Sequence, residues 1–143
     1  MATEILVNDG GAPARIMNLG SAGAAIEAGI FVDINSSGNI VAFTDDQEAS
    51  ASGEKVALGV LLVDAVSGEP TSVVTGKGIV CNVQVGDSGS MAIGAELTLD
   101  NAGKVEVTAD ADTHRAVAIQ LAAAFSGTDS SGTSTDFVKV LLI

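Results

Sequence analysis

The feature that most constrains this chain is that it comes close to repeating itself. Gly29 to Ala42 reads GIFVDINSSGNIVA, and Gly94 to Val107 reads GAELTLDNAGKVEV. Val32 matches Leu97, Ile34 matches Leu99, Gly38 matches Gly103 and Ile40 matches Val105, each pair 65 positions apart. Farther along, Gly59-Val60-Leu61-Leu62 aligns with Ala118-Ile119-Gln120-Leu121, and Ser67-Gly68 with Ser126-Gly127, now 59 positions apart. The change of spacing means that the acidic loop Thr44–Glu54 is shorter in the second copy. Two pseudo-repeats follow, about 29–80 and 94–143, each a four-strand unit. A single unit of this kind exposes an apolar face that a second one can cover.

Within each copy the residues favour strands. Val56 to Val63 is a β-branched apolar run too short for a typical helix, and Ser67-Gly68-Glu69-Pro70 reverses the chain after it. Ser72–Thr75 and Ile79–Val85 return as strands, with Gly76 and Gly78 between them. Phe31 and Asp33 alternate with Val32 and Ile34, then Asn35-Ser36-Ser37-Gly38 turns, with Gly where a positive φ costs least. Phe137–Ile143 (FVKVLLI) is the last strand, reached through the Ser-Gly-rich loop Ser126–Asp136. The fold class is all-β: a compact sandwich or small barrel of about eight to ten short strands. Val56, Leu58, Val60, Leu62, Leu97, Leu99, Val117, Ile119, Leu121, Val138, Val140 and Leu142 are expected in the core.

Residues 1–28 differ in texture. Glu4–Asn8 and Ala14–Leu19 read as short extended pieces on either side of Asp9-Gly10-Gly11-Ala12-Pro13, and Ser21–Ala28 is small and Ala-rich. This is expected to be an extended N-terminal arm that orders against a partner, with one β domain over 29–143.

Charge and cysteine usage narrow the function classes. The net charge is −12, from 18 acidic and 6 basic residues. Such a surface repels nucleic-acid phosphates and anionic membranes, so neither is an expected partner. The single cysteine, Cys81, lies in an apolar strand and reads as a small buried hydrophobe. No signal peptide or membrane span is expected.

The motifs that resemble chemistry lack their context. Gly86-Asp87-Ser88-Gly89-Ser90 is close to the sequence around a serine-protease nucleophile, but the only histidine, His114, follows Ser88, and the chain is too short for two barrels. Asp110, Asp112 and His114, or Asp45, Asp46 and Glu48, match no calcium loop and read as solvated acidic loops. Gly76-Lys77-Gly78 lacks the earlier glycine and following helix of a phosphate loop. No catalytic, cofactor-binding or metal residues are assigned, and no cofactor or small-molecule substrate is expected.

Several stretches together, DGGAPARI at Asp9–Ile16, VALGVLLVDAVSGE at Val56–Glu69, VVTGKGIVCNV at Val73–Val83 and the terminal FVKVLLI, carry a resemblance. The chain resembles the small capsid decoration (cement) proteins of tailed bacteriophages and related viruses. The resemblance implies a virion structural protein, made in the host cytoplasm and placed on the outer face of the capsid. It implies a homotrimer that bridges major capsid protein subunits. On this reading Ile5, Val7, Arg15 and Ile16 of the arm are the expected capsid-binding residues, and deleting residues 2–19 is expected to abolish binding while leaving a folded protein. The alternatives are another virion or surface β-module, tail-tube or fibre-associated, and a small hydrolase using Ser88.

Overall fold

The structure, a computed structural model, describes residues 3–8, 15–44, 57–86, 91–107, 117–129 and 131–143. Twelve strands and no helix occur among them: β1 (Leu6–Asn8), β2 (Arg15–Met17), β3 (Phe31–Ile34), β4 (Ile40–Ala42), β5 (Gly59–Leu61), β6 (Val73–Thr75), β7 (Val80–Gln84), β8 (Glu96–Leu99), β9 (Val105–Val107), β10 (Ala118–Gln120), β11 (Phe125–Thr128) and β12 (Ser134–Leu142).

One turn chemistry makes three of the hairpins. In the β3–β4 turn Asn35 Oδ1 accepts the N–H groups of Ser37 at 2.9 Å and Asn39 at 3.0 Å. In the β8–β9 turn Asp100 Oδ1 accepts those of Ala102 at 2.8 Å and Lys104 at 2.9 Å. Between β11 and β12 Asp129 Oδ1 accepts the Thr133 N–H at 2.8 Å. A short side-chain acceptor closes each turn in place of backbone. Gly38, Gly103 and Gly132 hold φ values of 81°, 73° and 84°, which an L side chain would resist.

The strands form two antiparallel sheets. One runs β2-β6-β5-β3-β4; the other runs β1-β7-β12-β10-β8-β9, with β11 also on β12. With β1 and β11 set aside, β7-β12-β10-β8-β9 matches β2-β6-β5-β3-β4 term by term, and so do the registers. Val32 faces Ala42 and Ile34 faces Ile40, as Leu97 faces Val107 and Leu99 faces Val105. Phe31 faces Val60 as Glu96 faces Ile119. The correspondence extends to strands that the sequence match does not include: Ile16 faces Val74 as Val80 faces Leu141. Each sheet also curls until its far strand meets the chain again in a single parallel bridge, Ala22 with Ile40 and Val85 with Val105. These are isolated bridges rather than ladders, so the architecture is a sandwich and not a closed barrel.

The repeat ends at the last connection. Ser126-Gly127, aligned above with the turn Ser67-Gly68 and expected in a loop, lies in β11, where Gly127 faces Thr135. The reason is aromatic packing. Phe125 stacks on Phe137 with ring centroids 6.1 Å apart, and the missing Cβ of Gly127 leaves room for the Phe137 ring and the Thr3 hydroxyl.

Two buried clusters hold the sheets. Phe31, Phe43, Val60 and Val74 of the first sheet share one with Cys81, Val83, Leu97, Leu99, Val105, Val138, Val140 and Leu142 of the second. The opposite face of the first sheet, Val32, Ile40, Leu61 and Val73, is covered by Ala22, Ile26, Ile30 and Ala65. Each Val, Leu, Ile or Phe among them contributes about 1.5–3 kcal/mol by leaving water. Both faces of β5 are therefore buried, which explains its unbroken apolar run. β10 departs from expectation: Ala118 and Gln120 point inward, whereas Ile119 is partly exposed and Leu121, just after the strand, is exposed; Val117, just before it, is partly buried and packs against the first cluster. Leu58 and Leu62 are also only partly buried, and Val56 lies outside the described residues.

The N-terminal segment is extended but is laced into both sheets. Leu6 faces Cys81, the Ile5 carbonyl accepts the Asn82 N–H at 2.7 Å, and β2 lies along β6. Ile26 pairs with Ala65 and helps cover the second cluster.

Candidate interface

β1 and β2 are end strands of their sheets, and both approach the same turn. Arg15 faces Thr75 at the end of β6, and Asn8 faces Val80 at the start of β7. Between them is the turn Gly76-Lys77-Gly78, whose glycines have φ values of 127° and 81°. The Arg15 side chain passes 3.9 Å from where a Cβ on Gly76 would sit. Arg15 and Lys77 are both exposed, and they are two of only six basic residues in the chain. Val7, Ile16 (48% exposed) and Met17 add apolar surface on the same two strands. The arrangement sets exposed apolar side chains beside positive charge along one strand edge of an acidic protein, with Arg15 and Met17 on one face of β2 and Ile16 on the other, suited to an apolar contact rimmed by carboxylates.

The sequence-predicted residues therefore divide. Val7, Arg15 and Ile16 are available at strand edges. Ile5 is 4% exposed and belongs to the core between the sheets, so it acts through stability rather than contact. Deleting residues 2–19 would remove two end strands, β1 and β2, and the buried Ile5 side chain together, so the truncation is expected to lower stability as well as remove the exposed contact residues. Met17 and Lys77 were missed by sequence reasoning. Lys77 lies far from Arg15 in the chain, and only the β2–β6 pairing brings them together.

Ser88, His114, Asp110, Asp112, Asp45, Asp46 and Glu48 lie outside the described residues. Among the described residues no three His, Cys, Asp or Glu side chains gather in a way that could hold a metal ion. Cys81 is buried, and burial pushes its thiol up to about 12, far from a reactive thiolate. A shallow hollow of about 430 Å³ is lined by Ile26, Glu27, Ile30, Asp64, Ala65 and Val66, among others. Both its carboxylates serve the fold. Asp64 Oδ1 accepts the Ala28 N–H at 2.7 Å, and Glu27 Oε2 accepts from Gln84 Nε2 at 3.2 Å. Gly76-Lys77-Gly78 is a strand-to-strand turn.

No known family model matches the sequence, and no curated protein matches it.

Proposed function

We propose that this chain is a virion structural protein that binds the outer surface of a capsid and stabilises it by bridging major capsid protein subunits. It acts by adhesion and not by catalysis, as a homotrimer whose weak contacts are multiplied by avidity. The observation that carries the reading is the exposed edge surface of Val7, Arg15, Ile16 and Met17 with Lys77. There an end strand can lie against a partner while two cations meet an acidic patch. The resemblance in the strand and turn segments supports it, as does the acidic remainder of the chain, which disfavours contact with packaged DNA.

The test is co-sedimentation with expanded empty shells of the major capsid protein. The unaltered chain is expected to bind to saturation at a fixed ratio. The double variant Arg15→Glu, Ile16→Asp is expected to bind at least about tenfold more weakly, a loss of about 1.4 kcal/mol or more, with its circular dichroism unchanged. Equal binding by the variant, or none by the unaltered chain, removes the proposal.

A further inference from the structure

The first sheet carries opposite charge at its two ends, on one face. Its end strands are β2 and β4. Met17 faces Val73, and Val73 faces Leu61, so Met17 lies on the side of the sheet that Ala22, Ile26 and Ala65 cover. Arg15, two residues earlier in the strand, points the same way. The cover does not reach them: Met17 is 46% exposed, and Arg15 is exposed with no ion pair among the described residues.

At the other end of that face is the hollow of about 430 Å³, which reaches Ala42 of β4. Buried Ile26, Ile30 and Ala65 line it, together with Val66, which is 54% exposed, and the carboxylates of Glu27 and Asp64. Both carboxylates are fixed around one residue. Asp64 Oδ1 accepts the Ala28 N–H at 2.7 Å, while Gln84 Nε2 donates to the Ala28 carbonyl at 3.0 Å and to Glu27 Oε2 at 3.2 Å. Gln84 is fully buried, which holds this frame in place. Each carboxylate gives one oxygen to the fold and leaves the other, Asp64 Oδ2 and Glu27 Oε1, without a partner among the described residues. Two fixed negative charges beside an apolar lining suit a cation on an aliphatic stem, which is the form of an arginine side chain.

We infer that the hollow is a self-association site whose occupant is the β2 edge of a second copy of this chain, with Arg15 between the free oxygens of Glu27 and Asp64 and Met17 against Val66. Charge complementarity selects that occupant: Arg15 is one of six basic residues in a chain of net charge −12, and it stands beside an exposed apolar side chain. A chain cannot fill its own hollow. Four strand steps, about 19 Å, separate β2 from β4, far beyond the reach of one side chain. The contact is head-to-tail, so it closes into a ring or continues as a filament. It deepens the proposed function by naming a contact for its homotrimer, and it divides the edge: Arg15 and Met17 serve the neighbouring copy, while Ile16 on the other face of β2 stays open to the capsid. It is tested without capsids, so either reading can fail while the other stands.

The experiment is sedimentation velocity of the full chain. The unaltered protein is expected to sediment as an oligomer of the 14.1 kDa chain that weakens as salt is raised. Arg15→Glu reverses the charge of the edge, and Val66→Lys supplies the hollow with a cation of its own. Each is expected to associate at least about tenfold more weakly, with unchanged circular dichroism, because both side chains are exposed. An equimolar mixture of the two is expected to associate again, since the first keeps an intact hollow and the second an intact edge. Ile16→Asp is expected to remain oligomeric. Should Arg15→Glu or Val66→Lys not fold, Met17→Glu or Ala25→Lys, at exposed positions of the same two surfaces, takes its place. A monomeric unaltered protein at tens of micromolar, an oligomer indifferent to either folded variant, an oligomer lost with Ile16→Asp, or a mixture that stays monomeric, as it would if another cationic partner filled the hollow, would each overturn the inference.

Discussion

The carbonyl of Gly103 accepts the backbone N–H of Phe31 at 2.8 Å, and through that contact the second hairpin rests on the first sheet. Gly38, its counterpart, has the same left-handed backbone but touches nothing with the missing Cβ. Alanine separates the two demands. Gly38→Ala should cost only the conformational penalty, about 1–2 kcal/mol. Gly103→Ala adds a collision with backbone, which cannot rotate away, and should cost about 3 kcal/mol or more. Urea unfolding of both variants measures this; equal losses would show that the Gly103 contact is not a close one.

Gln120 occupies in the second repeat the place that Leu61 holds in the first, facing the interior. Its Nε2 donates to the Ala122 carbonyl at 2.7 Å, but its buried Oε1 finds no partner among the described residues. An unsatisfied buried carbonyl costs about 1–3 kcal/mol, more than one neutral hydrogen bond returns. Gln120→Leu is therefore expected to raise the stability by about 1 kcal/mol, read from the denaturation midpoint. A loss of that size would mean that the amide is fully satisfied in solution.

Cys81 sets a limit at alkaline pH. Burial raises its folded pKa from 9.0 to about 12, so the neutral thiol is favoured in the native state. Its contribution to stability is complete below pH 9 and declines as the pH rises from 9 towards 12, where only the unfolded chain ionises. Between those values Cys81→Ala should show a shallower fall of stability than the unaltered protein. At pH 8 a thiol reagent should label the native chain only after denaturant is added; rapid native labelling would contradict the buried placement.

Asp129 works in the opposite direction. The Ser131 hydroxyl, donating at 2.6 Å, is the main reason its carboxyl titrates below the usual range, with the backbone N–H groups of Thr133, Ser131 and Gly132 assisting. A lowered pKa contributes stability that is present above pH 3.8 and lost as the pH falls below it. Asn35 closes the equivalent turn without a charge. Asp129→Asn should therefore keep the melting temperature at neutral pH and lose part of its acid dependence, while Asp129→Ala should lower the melting temperature at both. If Asn and Ala behave alike, the side-chain acceptor is not what holds this turn.

The local steps of this fold are legible in the residues themselves. An Asx acceptor three positions before a glycine specifies a turn wherever it occurs, and β-branched runs between such turns specify strands. That is why the all-β class, the two long-spaced hairpins and the repeat could be read from letters alone. What the letters do not carry is which way a strand faces. Alternation defines two sides of β10 but not which one meets the core; the larger side chains of Ile119 and Leu121 suggested the inner side, and pairing with β8 and β12 put Ala118 and Gln120 there instead. Ile5 entered the core, and Lys77 came beside Arg15, for the same reason. The position of a short strand depends on ladder partners scores of residues away, and those bonds exist only once the whole sheet has formed.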